Sequence, residues 1–327
     1  MTGTLRLRVV VLLYCTGLLS AAVLSIFAGM IPTSPEAAVF LNYAATQLGF
    51  LVPIALYRWR SRAKLSAFLP LKSPKLKALP LVIPVAIGAY MQNLMLQTGI
   101  SELWAMAGVY STVTIPDLTN AGYALAAVLV IAALPAVAEE FLFRGIFRNS
   151  CYKSAYFMLI YSSAVFAVGH LSPVQAVHQF ILGLILTYIV YSTGTVWYSV
   201  GIHFLNNIFA LFLPLIPGYA EILNFGGIGA FVMPIMTVAG ALILYPSVYA
   251  LTGLHSGAFS KKDGFLHVLF RKGDERWYKS ERSDTAVGAA GVAGALSEDG
   301  RDKVYAIALL AILVLASVLN VVIESML

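Results

Sequence analysis

Residues 121–147 read AGYALAAVLVIAALPAVAEEFLFRGIF. From Ala121 to Ala138 no side chain is charged, and the run is long enough to enter a hydrocarbon core that takes about 20 apolar residues to cross. Glu139, Glu140 and Arg144 then arrive while the surrounding residues, Phe141, Leu142 and Phe143, are still apolar. A carboxylate or guanidinium at the centre of a spanning helix costs about 2.5–3.5 kcal/mol on insertion scales, so such residues point to function before structure.

The composition agrees with a bilayer protein. The 327 residues are 60% hydrophobic and only 11% charged, with a mean hydropathy of +0.84. That balance excludes a soluble domain and indicates an all-α, polytopic transmembrane bundle. Nine apolar runs are read, at roughly 9–31, 37–57, 78–100, 121–147, 155–171, 174–192, 196–216, 228–254 and 305–326. They group as N-terminal spans and loops (1–120), core spans carrying the chemistry (121–216), and C-terminal spans with a polar loop at 255–303 (217–327). The first run follows Arg6 and Arg8 but exceeds a signal-peptide core of about 7–15 residues, so it reads as a retained span. Bulky Tyr14 before Cys15 makes a poor lipidation site, and Cys15 with Cys151 gives neither a disulfide framework nor thiolate metal spacing.

Basic residues orient the spans. With the N-terminus in the cytoplasm, all 21 Lys and Arg fall in or beside the N-terminal tail, 58–77, 144–153, the turn near Gly194, and 255–303. The loops around Pro32, at 101–120 and at 217–227 hold none. This predicts nine spans of an integral, multi-pass protein of the bacterial plasma membrane type, with its C-terminus outside. The polybasic stretch 58–64 follows from that topology and from anionic lipid headgroups, so no nucleic-acid partner is expected. Ser256 to Asp302 mixes both charge signs with a small-residue run and reads as a cytoplasmic loop. No pair of matching interrupted helices suggests an inverted-repeat transporter.

Helix geometry sorts the charges. Glu140 and Arg144 are four apart and share a helix face, where they can pair, while Glu139 points about 100° away and is left over as the better general base. His203 and Asn207 repeat the same spacing on another helix, so an imidazole and a carboxamide donor can face one point. Two such donors in a dry site stabilise an oxyanion by about 2.7–4 kcal/mol each. His170, four residues after Phe166, would help Glu139 polarise water. At about 1.5 Å per residue, Glu139 lies roughly 18 Å and His203 roughly 14 Å from the cytoplasmic turns, but His170 comes out near 26 Å if its helix starts at Lys153.

In order along successive hydrophobic helices, Glu139-Glu140 with Arg144, Phe166 with His170, and His203 with Asn207 resemble the Glu-Glu-x-x-x-Arg, Phe-x-x-x-His and His-x-x-x-Asn signatures of the CAAX protease and bacteriocin-processing (Abi) family of intramembrane endopeptidases. The resemblance extends over roughly 123–211. It implies a helical bundle with an intramembrane cavity open to the cytosol, in which peptide bonds are hydrolysed. It further implies that Glu139 and His170 activate water, that His203 and Asn207 form the oxyanion hole, and that Glu140 and Arg144 support the first motif. Prenyl-protein members often carry a second His three residues after the first, whereas this chain has Pro173. The implied substrate is thus a bacterial-type membrane-associated peptide or protein.

Glu139, His170 and His203 could instead form a His₂Glu site for a divalent metal such as zinc, although no His-Glu-x-x-His helix exists; the family's type members work without a required cofactor. His178 reads as a helix-entrance residue, Asn93 and Gln97 as interhelical bonds, and His255 and His267 as solvated. Two other functions remain open: a non-catalytic membrane regulator or scaffold on the same fold, and a transporter with a Glu/His proton relay. A relay does not need a paired oxyanion donor, and a scaffold does not need a leftover carboxylate. The topology is checked with reporters: one fused after Leu327 is expected to read outside and one near Gly273 inside, and finding both on one side would remove the ninth span.

Overall fold

A computed structural model describes residues 7–110, 115–146, 155–255 and 300–326. They form nine main helices: α1 (Leu7–Gly29), α2 (Pro35–Ser61), α3 (Val82–Met106), α4 (Ala121–Ile146), α5 (Ala155–Val168), α6 (Pro173–Thr193), α7 (Trp197–Phe212), α8 (Gly229–Gly253) and α9 (Gly300–Met326). Among the described residues there is no sheet, and the only extended pairing is an isolated bridge between Leu71 and Thr195. Helices therefore occupy all nine predicted places. Seven of them are long and apolar enough to cross a membrane; the other two places hold shorter apolar segments, Leu159–Val168 and Val304–Leu319. Cys151, His267 and most of the polar loop read at 255–303 lie outside the described residues.

Helix starts and stops follow local chemistry. Ser34 caps α2 through its hydroxyl, which accepts from Ala37 N–H at 3.3 Å, with Pro35 in the first turn where its missing N–H costs nothing. Asn120 caps α4 by accepting from Gly122 and Tyr123 N–H at 2.9 and 3.2 Å. Gly194 ends α6 in the left-handed region at φ 73°. The surface is apolar: Leu12, Leu19, Phe27, Phe231, Ile235 and Leu242 all point outward. Glu139, Glu140, Arg144 and His203 point inward. This inversion suits a protein whose solvent is lipid.

In lipid, close packing supplies the helix association that water would otherwise drive. α1 packs on α2, α3 on α8, α5 on α6, and α9 on α1, while α4 lies against α2 and α7. Glycines set the two tightest of these crossings. A Cβ on Gly49 of α2 would stand 2.3 Å from Ala21 Cα, and one on Gly88 of α3 would stand 2.6 Å from Leu244 N of α8. Gly240 answers Gly88 from the other side, since its own Cβ would meet Gln92 N at 2.6 Å.

The helix ends meet in a way that bears on topology. Val196 N–H donates to Pro70 O at 2.9 Å, and Thr195 Oγ1 donates to Lys72 O. Lys75 Nζ donates to Leu254 O at 2.7 Å, and Lys75 N–H donates to Tyr198 Oη at 2.7 Å. The basic loop between α2 and α3, the turn near Gly194 and the end of α8 therefore share one face of the bundle. The charge distribution had assigned all three to one side. His255 is not simply solvated: its ring contacts Leu251 O at 2.9 Å and Tyr198 Oη at 3.1 Å, and partial burial holds its pKa below the usual imidazole value. Asn93 makes the expected interhelical bond, donating to His178 O at 3.3 Å, whereas Gln97 faces outward.

The crossing geometry predicts opposite effects of one chemical change. Gly88→Ala overpacks a backbone contact and is expected to cost about 1–3 kcal/mol. Gly29→Ala, with nothing within 4 Å of the new methyl, is expected to be neutral in thermal unfolding of the detergent-solubilised protein. Equal midpoints for the two variants would contradict this packing.

Candidate active site

α4 is not a regular helix where it matters. Pro135 lacks an N–H and interrupts the ladder, and π-type turns occupy Val128–Ala133 before it and Glu140–Ile146 after it. Such widened turns re-satisfy a broken ladder within a bilayer and occur often at functional sites. Glu139 closes the α-helical part and Glu140 opens the second π segment, so the two carboxylates sit on a backbone irregularity.

Arg144 is wholly buried, and so is its partner Glu140. Nη1 donates to Glu140 Oε1 at 2.7 Å, the pair expected from the four-residue spacing. Nε and Nη2 point to Thr187 Oγ1 and Gly183 O on α6, both at 3.4 Å. The guanidinium carbon sits 4.1 Å above the Phe166 ring, which adds a cation–π contact from α5. A Cβ at Gly183 would stand 3.0 Å from Ser163 Cβ, so the glycine lets α6 come close to α5.

His203 of α7 is also buried, at 3% exposure. Its Nδ1 lies 2.9 Å from Glu140 Oε1, and because a carboxylate only accepts, the proton sits on Nδ1. Nε2 then faces Glu139 Oε2 at 3.9 Å. Glu139, 7% exposed, is not the unattached carboxylate expected from helix geometry. Its Oε1 accepts from Gln47 Nε2 at 3.0 Å, a donor contributed by α2. Its Oε2 is buried and makes no hydrogen bond among the described residues. Among the described residues Glu139 thus has no Lys or Arg bonded to it but does have an amide partner.

His170 lies past the end of α5, not within a helix. α5 spans 14 described residues, which at about 1.5 Å per residue make roughly 21 Å. The helix stops at Val168, so His170 sits in the turn that follows it and not further along the helix axis, where an unbroken helix would have put it. Leu171, next in line, has φ 52°, a strained value for a bulky side chain. Gly169 is required here, since a Cβ would stand 2.2 Å from Tyr14 Oη of α1. His170 Nδ1 contacts Phe166 O at 2.8 Å, its ring meets the Phe166 ring edge-on at 4.9 Å, and it lies within electrostatic reach of Glu139, His203 and Arg144. Phe166 also contacts the His203 ring at 5.9 Å, so one aromatic residue joins all three motifs.

Asn207 is less tightly held. Nδ2 donates to Ala132 O, in the first π segment, at a long 3.4 Å. His170 and Asn207 are partly exposed, whereas Glu139, Glu140, Arg144 and His203 are buried, so the first two form the accessible rim of the cluster. Among the described residues no three His, Cys, Asp or Glu side chains converge as a metal would require. Glu139 Oε1 and His203 Nδ1 are taken by Gln47 and Glu140, which leaves Glu139 Oε2 and His203 Nε2 turned toward each other. The site residues that sequence reading missed are Gln47, Thr187 and Gly183. Gln47 did carry a signal, a carboxamide in the middle of the second apolar run.

The arrangement brings together two carboxylates, a counter-ion for one of them, two imidazoles and a carboxamide. Residues 121–209 match the family described as type II CAAX prenyl endopeptidase, Rce1-like. No curated protein and no solved structure matched the chain. The matched stretch contains every residue of the three motifs and excludes α1, α2, α3, α8 and α9. The chain is thus a helical membrane protein whose residues 121–209 form an Rce1-like domain of the type II CAAX prenyl endopeptidases, a family of peptidases.

Proposed function

We propose that this protein is an intramembrane endopeptidase that hydrolyses membrane-associated peptides or proteins by glutamate-activated water. The observation that carries this reading is the pair Glu139 Oε2 and His203 Nε2, 3.9 Å apart, the oxygen being buried with no hydrogen-bond partner. A water bonded to both at the usual length of about 2.8 Å fits that separation. Glu139, aided by His170, removes a proton from this water as its oxygen attacks the scissile carbonyl carbon. The carbonyl oxygen becomes an oxyanion, and Asn207 Nδ2–H with His203 Nε2–H stabilise it. Glu139 then returns the proton to the leaving nitrogen, the C–N bond breaks, and a carboxylic acid and an amine result.

The His203 donor role has a condition. With one proton held on Nδ1 by Glu140, Nε2 donates only from a doubly protonated ring, and Glu139 and Glu140 both stand beside that ring. Glu140 would accordingly serve both Arg144 and His203. Cleavage is proposed to need no metal. The N-terminus is proposed to lie in the cytoplasm, a reading supported by the distribution of basic residues, and the cavity is proposed to open to that side. The partners are membrane lipids and a membrane-anchored polypeptide.

One observation favours a second reading. His203 and Asn207 both bond across helices, to Glu140 and to Ala132 O, as packing residues in a scaffold would. Cleavage of a membrane-anchored peptide by purified protein in detergent separates the two. Glu139→Gln is expected to abolish cleavage with a near-normal thermal midpoint, and normal turnover would sink the water-activation role. Glu140→Gln strands Arg144 without its charge partner and is expected to lower stability by about 3–5 kcal/mol. Wild-type cleavage is expected to persist in excess chelator.

Asn207→Ala addresses the oxyanion directly. A donor aimed at the transition state affects kcat far more than KM, so turnover is expected to fall about 10²–10³-fold with substrate binding retained. An Asn207→Ala protein that unfolds while its remaining folded molecules cleave at full rate would favour the scaffold.

A further inference from the structure

We propose that Gln47 is a positioning residue for Glu139, so that α2, outside the family-matched stretch, completes the active site. The inference rests on the endopeptidase reading above. Gln47 is 6% exposed, in the middle of a helix whose other residues at that depth are mostly apolar. A carboxamide there costs free energy unless it is bonded, and packing alone would be served better by Leu or Met. Its Nε2 donates to Glu139 Oε1 at 3.0 Å across 92 positions of sequence. The carboxylate accepts only, which fixes the orientation of the amide.

The bond has a geometric consequence for Glu139. With Oε1 held by Gln47, rotation of the carboxylate is blocked and Oε2 faces His203 Nε2. An anchor of this kind matters because misplacing a reacting group by about 1 Å can cost about 10²-fold in rate. The height of the anchor is set by the helix itself. Two residues on, Gly49 packs against the Ala21 backbone of α1 so closely that no Cβ could be added, which limits sliding of α2. The other amide atom, Gln47 Oε1, is buried and makes no hydrogen bond among the described residues, leaving an acceptor beside the base.

The test uses the full-length protein and the membrane-anchored peptide assay. Gln47→Met keeps the volume and removes the donor; kcat is expected to fall about 10–100-fold with KM within about twofold. Gln47→Asn keeps an amide one methylene too short to reach and should show the same split with a normal thermal midpoint, which guards against a misfolded Met variant. Wild-type kcat in Gln47→Met and Gln47→Asn, with Glu139→Gln inactive, overturns the positioning role and leaves the endopeptidase reading intact. Parallel losses of folded protein with full turnover per folded molecule overturn it as well. Normal cleavage by Glu139→Gln removes the underlying reading instead.

Discussion

The buried ion pair between Glu140 and Arg144 is the constraint on which the rest of this bundle depends. A guanidinium with no exposure to solvent or lipid is tolerable only if its donors and its charge are met. Three helices meet them: α4 supplies the carboxylate, α6 the Thr187 hydroxyl and Gly183 carbonyl, and α5 the face of Phe166. The same Glu140 oxygen receives His203 from α7. One charge pair thereby fixes the mutual positions of four helices.

That fixation is what a hydrolytic site in a membrane requires. Water and ionisable groups are scarce in the hydrocarbon region, so the protein must hold the few it has at fixed separations. The division of labour follows from charge compensation. Glu140, neutralised by Arg144 and bonded to His203, organises the site, while Glu139 turns its second oxygen to the other ring nitrogen of His203. Irregular backbone accompanies both functional turns, π segments in α4 and the left-handed Leu171 beside His170. Neither would be expected from a helix selected only to span.

The contacts at the helix ends matter for a different reason. Val196 with Pro70, Thr195 with Lys72 and Lys75 with Leu254 tie three connecting segments on one face, next to most of the described basic residues. The tie holds α7, which carries His203, by the turn that precedes it. Depth of the imidazole and anchoring at the membrane surface are therefore linked through one short helix.

Much of this was legible in the linear chain. Apolar runs of about 20 residues give helices in a bilayer because no other element satisfies its backbone there, and i,i+4 spacing alone placed Arg144 on Glu140. The three motifs likewise announced Glu139, His170, His203 and Asn207 as residues too polar for their setting. What only the tertiary structure decided are the contacts made across helices. Gln47 reaches Glu139 from 92 residues away, His203 spends Nδ1 on Glu140, and Asn207 reaches Ala132 O, none of which a periodicity encodes. The turn after α5 belongs here too, since Gly169 within it meets Tyr14 of another helix more closely than a side chain would allow. Local sequence determines which face a side chain occupies; helix packing determines which of its atoms remain free to react.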